Sequence, residues 1–281
     1  MSTPGPSAFP DDAPVPSAAP SPSEAPPPVL PDDAPSPSAA PSRALVVVAH
    51  PDDADFGAAG TLATLTDDGV EVTLLVVTRG DQGGAEEEDM SGQTARREAE
   101  QRAASAVVGV DDVRFLDGFR DGWLEPTFEL QKEIVRVIRQ VRPGFIVTQS
   151  PERNWERIFA SHPDHMAVGE AVIRAVYPAA ENPHAWPELV SEHRLPAYKV
   201  PEVWLMAHPE PNHTVEITGV FERKVEALRA HASQVGGMPE GALEERLRGW
   251  AEVTAQAAGL PEGSLAEAFR RVWINAIPPV E

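Results

Sequence analysis

The sequence predicts an α/β fold: a Rossmann-like, mostly parallel sheet flanked by helices, with a mixed α/β portion at the C-terminal end. Two observations carry this prediction. From residue 44 onward, short apolar runs alternate with segments of helical length and periodicity, which is typical of βαβ units with right-handed crossovers. The apolar runs are also continuous rather than alternating, as expected for strands that helices cover on both faces.

The elements of the first half follow from this alternation. Strands are predicted at residues 44–49, 71–78, 112–116 and 145–149. Helices are predicted between them near residues 57–66, 94–108 and 127–141. The last helix has the clearest signals, because Thr127 is a good N-cap residue and apolar residues recur at helical spacing from Ile134 to Val141.

The second half has weaker signals. Pro163 suits the first turn of a helix that runs to about Val176. Two further strands are predicted near residues 203–206 and 214–217. Three further helices are predicted near residues 221–232, 241–257 and 264–272.

The N-terminal region differs from the rest in composition. Residues 1–43 are dominated by Pro, Ala and Ser, and such a segment cannot bury enough apolar surface to offset the loss of chain entropy. We therefore expect a disordered tail at 1–43 and one α/β domain at 44–281. The tail contains Pro-Asp-Asp-Ala twice without a neighbouring His, whereas at residues 51–54 the same sequence follows a His and a predicted strand.

Composition restricts the possible partners and metals. The net charge of −21 argues against nucleic acid and against anionic lipid, since both require a basic surface. The chain has no Cys, so any metal would be held by imidazole and carboxylate, which suit zinc. No secretory signal and no membrane-spanning run is visible, so the expectation is a cytoplasmic protein without membrane insertion.

Two short motifs are rich in metal-ligand residues: Ala-His-Pro-Asp-Asp at 49–53 and Ser-His-Pro-Asp-His at 161–165. Sites in such sheets form beyond the carboxyl ends of the strands. If the strands at 44–49 and 145–149 are neighbours, both motifs face one crevice. Each motif alone is also compatible with a turn or a helix cap. Together they supply three zinc ligands and leave an acid and a base free, which favours a hydrolase.

These two motifs make the chain resemble the LmbE-like, or PIG-L, de-N-acetylase family. Weaker similarities lie at residues 78–81, 96–98, 121–122, 203–206 and 224–234, so the resemblance covers about residues 44–235. It implies a zinc-dependent hydrolase with a Rossmann-like sheet. Such an enzyme removes the acetyl group from an N-acetylglucosamine-type amino sugar or its conjugate, or cuts a related amide, and its partner is therefore a small molecule.

The resemblance also implies a role for individual residues. The expected zinc ligands are His50, Asp53 and His165. The expected catalytic residues are Asp52 as general base on the metal-activated water, His162 as general acid, and Asp164 behind His162. The expected substrate contacts are Arg97 and Asp121.

One departure from the family concerns the carbonyl of the substrate. Some members carry a Tyr just before the second motif that helps to polarise it. Here the stretch is Phe-Ala-Ser at 159–161, and Arg153, Asn154 and Ser161 are the candidates to replace the phenol.

Other functions and roles stay open. A zinc amidase that cuts a thiol conjugate of a sugar amine would use the same residues. A Mg²⁺-dependent phosphoryl-transfer domain would suit the acidic pair, although the second motif favours zinc. A catalytically dead sugar-binding module would lack a ligand, and none is missing. A homo-oligomer is also possible.

Residues outside the motifs carry weaker signals. Trp123 and Trp155 either stack on a sugar or pack in the core or between subunits. The acidic stretch at 86–89 is expected to be a solvated loop, with a lid as the alternative. His231 is expected to be a packed or capping residue.

Overall fold

The computed structural model describes residues 42–83 and 92–275. The predicted tail at 1–43 lies outside the described residues except for Ser42 and Arg43, and so does the acidic stretch at 86–89. Within the described ranges, no helix is long and apolar enough to cross a membrane.

Seven strands form one sheet in the order β3-β2-β1-β4-β5-β7-β6. The strands are β1 (Arg43–Val48), β2 (Glu71–Val76), β3 (Asp112–Phe115), β4 (Phe145–Gln149), β5 (Glu202–Met206), β6 (His213–Glu216) and β7 (Ala266–Trp273). Strands β1 to β5 pair in parallel, and β7 is antiparallel to both β5 and β6. This arrangement confirms the predicted Rossmann-like sheet with a mixed C-terminal portion, and it places β1 next to β4.

Eight α-helices accompany these strands in the described part of the chain. They are α1 (Asp53–Asp67), α2 (Gln93–Val107), α3 (Phe128–Val141), α4 (Pro163–Arg174), α5 (Pro187–Ser191), α6 (Phe221–Ala230), α7 (Ala232–Val235) and α8 (Ala242–Ala257). The oxygen of Thr127 accepts a hydrogen bond from the amide of Leu130, so its predicted N-cap role is correct. Helix α1 begins four residues earlier than expected, directly at Asp53.

The predicted helix at 264–272 is wrong, because this segment is the strand β7. Its sequence, Ala-Glu-Ala-Phe-Arg-Arg-Val-Trp, is rich in residues that favour a helix when considered locally. Both edges of the segment instead pair with neighbouring strands, and Phe269 is buried in the same core cluster as Val46 and Val48 of β1. Strand preference depends strongly on such tertiary context, and a single-segment pattern does not contain it.

The core lies on both faces of the sheet. On one face, Leu45 and Val47 of β1 pack in a cluster with residues of α3 and α4. On the other face, Val46 and Val48 pack in a cluster with residues of α1, α2 and α6. Successive side chains of a strand point to opposite faces, which explains why a strand buried on both sides has a continuous apolar sequence.

Gly169 allows α4 to lie against the end of β4. A Cβ atom at this position would be 2.3 Å from the main-chain oxygen of Gln149 and 2.8 Å from the nitrogen of Pro151. Because these are main-chain atoms, we expect Gly169→Ala to lower the free energy of unfolding by about 1–3 kcal/mol, measured by urea denaturation. Gly249→Ala on α8 is the control, since a Cβ atom there meets nothing within 4 Å. Equal stability of the two variants would contradict this packing argument.

Candidate active site

The first motif forms the turn between β1 and α1, and Asp52 adopts an unusual conformation in it. Its φ of 87° lies in the left-handed region, which costs free energy for a residue with a Cβ atom and is enriched at functional sites. Asp52 is the N-cap of α1, but its side chain makes no capping hydrogen bond. The interpretation of Asp52 as a simple helix cap is therefore wrong.

The second motif forms the start of α4 beyond β4. His162 is the N-cap of this helix, Pro163 occupies its first turn as predicted, and His165 follows in the same turn. Because β4 lies beside β1, the two motifs meet. The ring centroids of His50, His162 and His165 are 5.1–5.3 Å apart, so three imidazoles share one small volume.

The carboxylate of Asp53 joins two of these imidazoles. Its Oδ1 is 2.9 Å from Nε2 of His165, and its Oδ2 is 3.3 Å from Nδ1 of His50. The side-chain amide of Gln149 and the main-chain amide of His50 both donate to Oδ2, at 2.8 and 2.7 Å. The three expected ligands are thus adjacent, and Asp53 is held in place from behind.

A second set of metal donors is also possible. One nitrogen from each of His50, His162 and His165 lies within 4.8 Å of the others. This set contains His162 in place of Asp53. His50, Asp121 and Asp164 form a further group that meets the same distance limit. All of these sets consist of imidazole and carboxylate, which zinc accepts as ligands, so the residue types fit a metal ion but do not choose between the sets.

Two carboxylates lie on the other side of the His50 ring. Asp164 Oδ2 and Asp121 Oδ1 are each 3.0 Å from His50 Nε2. The amides of Gly122 and Leu124 donate to the two oxygens of Asp164 at 2.7 and 3.2 Å. With both oxygens so occupied, Asp164 is suited to orienting His50, whose Nδ1 then faces Asp53, in the manner usual for carboxylates behind metal-binding imidazoles.

The expectation that the Asp164 carboxylate stands behind His162 is therefore corrected. The contact of Asp164 with His162 is made by its main-chain amide, which donates a hydrogen bond to His162 Nδ1 at 3.2 Å. An Nδ1 that accepts a hydrogen bond requires the proton of a neutral ring to be on Nε2. A contact between Asp164 and His162 was expected from the sequence, but the group of Asp164 that makes it, the main-chain amide, was not.

The electrostatics of the cluster favour a cation. Burial by itself would lower the pKa of His50, but the carboxylates of Asp53, Asp121 and Asp164 outweigh it and raise that pKa to about 12. Burial would raise the pKa of Asp53, but His165 and His50 hold it well below its usual range. The cluster therefore keeps its carboxylates ionised around the imidazoles.

Arg97 and Gln101 surround Asp52. The guanidinium of Arg97 donates to the oxygen of Pro51 at 2.8 Å and to Asp52 Oδ2 at 3.3 Å. The main-chain amide of Asp52 donates to Gln101 Oε1 at 2.8 Å. Burial and the negative charge of Asp53 raise the pKa of Asp52 to about 7, while Arg97 opposes this rise.

Gly80 makes room for Arg97. A Cβ atom at Gly80 would be 1.9 Å from Nη1 of Arg97, and the φ of Gly80 is 65°. Both observations require glycine at this position. Gly80 therefore leaves room for a buried arginine next to the first motif.

A cavity of about 340 Å³ opens in front of these residues. It is lined by His50, Asp52, Gln82, Gly83, Arg97, Asp121, Gly122 and His162. Of the predicted site residues, five border one space and three contact its wall. The five are His50, Asp52, Arg97, Asp121 and His162, and the three are Asp53, Asp164 and His165. The cavity lies in the size range of small-ligand sites.

Sequence reasoning missed several residues of the site. None of Gln149, Gln101 and Gln82 belongs to either motif, although each contacts a motif residue or the cavity. Gln149 carried a usable signal, since it is a polar residue at the end of an apolar strand beside the first motif. The contact of Gln101 depends on how α2 packs, so it had no signal of this kind.

Two exposed tryptophans lie near site residues along the chain: Trp123 directly follows Gly122, and Trp155 precedes the second motif. The side chains of Trp123 and Trp155 are 71% and 78% exposed, so the alternative that they pack in the core of this chain is wrong. Arg120 lies over Trp123 and Arg153 over Trp155, at 5.2 and 5.6 Å from the ring centroids. Their exposure leaves them free for a ligand or for another subunit.

Comparison with known proteins gives this site a family. Residues 45–176 match the family model described as PIG-L, GlcNAc-PI de-N-acetylase. A diacetylchitobiose deacetylase from Thermococcus kodakarensis is 35% identical over 68% of this chain and 70% of its own length. The chain belongs to the PIG-L family. This assignment confirms the resemblance predicted from the two motifs, and with it the expectation of an enzyme of the N-deacetylase type.

Further PIG-L relatives agree in sequence and in structure. A probable N-acetyl-α-D-glucosaminyl L-malate deacetylase 2 from Bacillus cereus is 35% identical, over 70% of this chain and 85% of its own length. The structure of N,N'-diacetylchitobiose deacetylase from Pyrococcus horikoshii superposes with a TM-score of 0.73 at 28% identity. It covers 83% of this chain and 84% of that one, so the PIG-L fold extends over nearly all of the described residues.

Proposed function

We propose that this protein is a zinc-dependent hydrolase that removes the N-acetyl group from an N-acetylglucosamine-type amino sugar or its conjugate. The observation that carries the proposal is that Asp52 and His162, a candidate base and a candidate acid, border the same cavity as His50, which lies against the other proposed metal donors, Asp53 and His165. A metal-dependent hydrolase that cuts an amide uses metal donors, a base and an acid together, because water must be activated and the departing amine must be protonated.

Zinc is proposed to be held by His50, Asp53 and His165. Support comes from the two short contacts that join the Asp53 carboxylate to both imidazoles, and from the hydrogen bonds that fix this carboxylate. When bound, zinc supplies a Lewis acid that polarises the amide carbonyl and lowers the pKa of water. The carboxylates of Asp121 and Asp164 orient the His50 ring for this task.

Asp52 is proposed to be the general base. Its carboxylate accepts a proton from the water molecule that attacks the acetyl carbon, and the guanidinium of Arg97 at 3.3 Å helps to orient it. Asp52 borders the cavity while being anchored through its main-chain amide. The base is thus held in one position relative to the substrate, as efficient proton transfer requires.

His162 is proposed to be the general acid. The amide of Asp164 occupies its Nδ1, so Nε2 is the nitrogen that can exchange a proton with the substrate. Transfer of a proton to the amide nitrogen allows the C–N bond to break, which yields acetate and the free amine of the sugar. Asp121 and Arg97 are proposed to contact sugar hydroxyls, because both border the cavity.

The proposed substrate class rests on relatives and on the size of the cavity. Relatives are named as deacetylases of diacetylchitobiose and of an N-acetylglucosaminyl malate, which share an N-acetylated glucosamine and differ in what is attached to it. A cavity of about 340 Å³ suits one sugar unit. The group attached to the sugar would then extend past the cavity, toward Trp123 beside Gly122.

A screen of N-acetylated glycosides tests this function. We expect free amine and acetate to form in equal amounts from at least one N-acetylglucosaminide, with about one zinc per chain in protein purified without chelator. The same sample should also be tested with a cysteinyl amide of glucosamine. Turnover of that amide alone would shift the function to the thiol-conjugate amidase, and finding Mg²⁺ in place of zinc would contradict both.

A further inference from the structure

A buried chain of hydrogen bonds runs from the end of α6 to the proposed general base. His231 Nε2 is 2.9 Å from Asp55 Oδ2, and the side-chain amide of Gln101 donates to the same oxygen at 2.8 Å. The other end of the Gln101 side chain, Oε1, accepts from the main-chain amide of Asp52 at 2.8 Å. His231, Asp55 and Gln101 are each no more than 1% exposed, and the proposed reaction uses none of them.

This chain ends at a main-chain position that needs support. Asp52 has a left-handed conformation, and such a conformation in a residue with a Cβ atom persists only when its surroundings enforce it. A buried main-chain amide without a partner is also costly. The side-chain oxygen of Gln101 meets both needs. It accepts the hydrogen bond of the Asp52 amide, and it thereby fixes the direction of that N–H group and supports the left-handed conformation.

The orientation of the Gln101 side chain is itself determined by its neighbours. An amide side chain presents oxygen at one end and an NH₂ group at the other, and only one orientation offers oxygen to Asp52. Two acceptors fix that orientation: Asp55 Oδ2 at 2.8 Å and Ser105 Oγ at 3.2 Å from the Gln101 nitrogen.

His231 completes the chain from the side of α6. It is the C-cap residue of this helix and is fully buried. Its ring Nδ1 has no hydrogen-bond partner among the described residues, so the Asp55 carboxylate is the one hydrogen-bond partner of the ring there. This side chain therefore connects the packing of α6 against α1 and α2 to the carboxylate that orients Gln101.

From this geometry we infer that Gln101, Asp55 and His231 are positioning residues that hold Asp52 in its reactive orientation. The inference rests on the proposed role of Asp52 as general base. None of the three side chains lines the cavity or belongs to a group of metal donors, and the hydrogen bonds that join them to Asp52 end at its main-chain amide. The sequence assigned His231 only a packing or capping role, and the structure adds a connection to the reaction.

Gln101→Met tests the inference directly, because methionine has a similar volume but can neither accept from Asp52 nor donate to Asp55. We expect kcat to fall by about 10- to 100-fold, as for a misplaced catalytic group, with KM within about twofold and zinc content unchanged. The matched control is Gln131→Met, a buried glutamine of α3 on the opposite face of the sheet that donates to Arg174. It should lose stability but keep kcat.

A pair of substitutions at His231 provides a second test. It leaves Gln101 unchanged, so a difference in side-chain volume at position 101 cannot explain the result. His231→Gln retains an N–H donor toward Asp55, whereas His231→Leu does not. We expect His231→Gln to retain several-fold more of the wild-type kcat than His231→Leu. Equal kcat values in these two folded variants would overturn the inference.

Hydrogen exchange at the Asp52 amide tests the positioning role without relying on catalytic activity, so failure of this inference can be distinguished from failure of the proposed function. Exchange should be faster in Gln101→Met than in wild type and unchanged in Gln131→Met. If wild-type protein turns over no N-acetylated glycoside, the proposed function fails, yet the exchange rates still report whether Gln101 holds Asp52. If Gln101→Met keeps both kcat and slow exchange, the positioning role is wrong.

Discussion

Asp52→Asn is expected to lower kcat by about 10²- to 10⁴-fold, the usual contribution of a general base, without loss of the metal. Asparagine has nearly the same shape, so the left-handed turn and the hydrogen bond to Gln101 are preserved. The amide of asparagine cannot accept a proton from water as a carboxylate does. Steady-state kinetics on the substrate found in the screen, with zinc measured on the same sample, check this result.

An aspartate at the opposite end of α1 supplies the control for this variant. Asp68 lies at the other end of α1 and is exposed, so Asp68→Asn removes the same charge from the same helix without touching the cavity. We expect it to keep full activity. An Asp52→Asn enzyme as active as the Asp68→Asn control would show that another group activates the water.

Asp53→Ala is expected to lose the metal, whereas His162→Ala is expected to keep it and to lose turnover. The proposed ligand set contains Asp53 and assigns His162 to proton transfer. The alternative set of three imidazoles contains His162 and not Asp53. Zinc content after dialysis therefore distinguishes the two sets, and we expect less than about a tenth of the wild-type content in Asp53→Ala, consistent with loss of one of three protein ligands.

The control for this comparison is Asp67→Ala. Asp67 is also an α1 aspartate, and it forms an exposed ion pair with Arg223 at 2.8 Å, which contributes little to stability. Its loss should change neither zinc content nor turnover. If His162→Ala loses the metal and Asp53→Ala retains it, His162 is a ligand and the general acid must be sought elsewhere.

Much of the fold was predictable because each strand is specified locally. Residues 44–49 form a continuous apolar run, which predicted a strand covered on both faces, and β1 and β4 are neighbours in the sheet. That adjacency was an inference from the architecture, and it is what brings the two motifs together. The segment 264–272 was misassigned because its pairing partners, β5 and β6, lie far from it along the chain.

The candidate site was predictable to the extent that its chemistry is contained in short motifs. His50 and Asp53, like His162 and His165, are close in sequence and stay close in the fold. The partner of the Asp164 carboxylate was not predictable, since it is His50, which lies 114 positions away along the chain. Gln101 reaches the first motif from α2, 49 positions away, and His231 reaches Asp55, just after that motif, from the end of α6, 176 positions away.

The sequence by itself determined the α/β class, the two motifs and the family, because these depend on residue type and local spacing. The tertiary structure decided which donors face each other, which side of His50 its supporting carboxylates occupy, and what holds Asp52 in its left-handed turn. The physical reason is that hydrogen bonds between distant segments depend on the register of packed strands and helices. That register depends on the packing of the whole chain, and no single motif determines it.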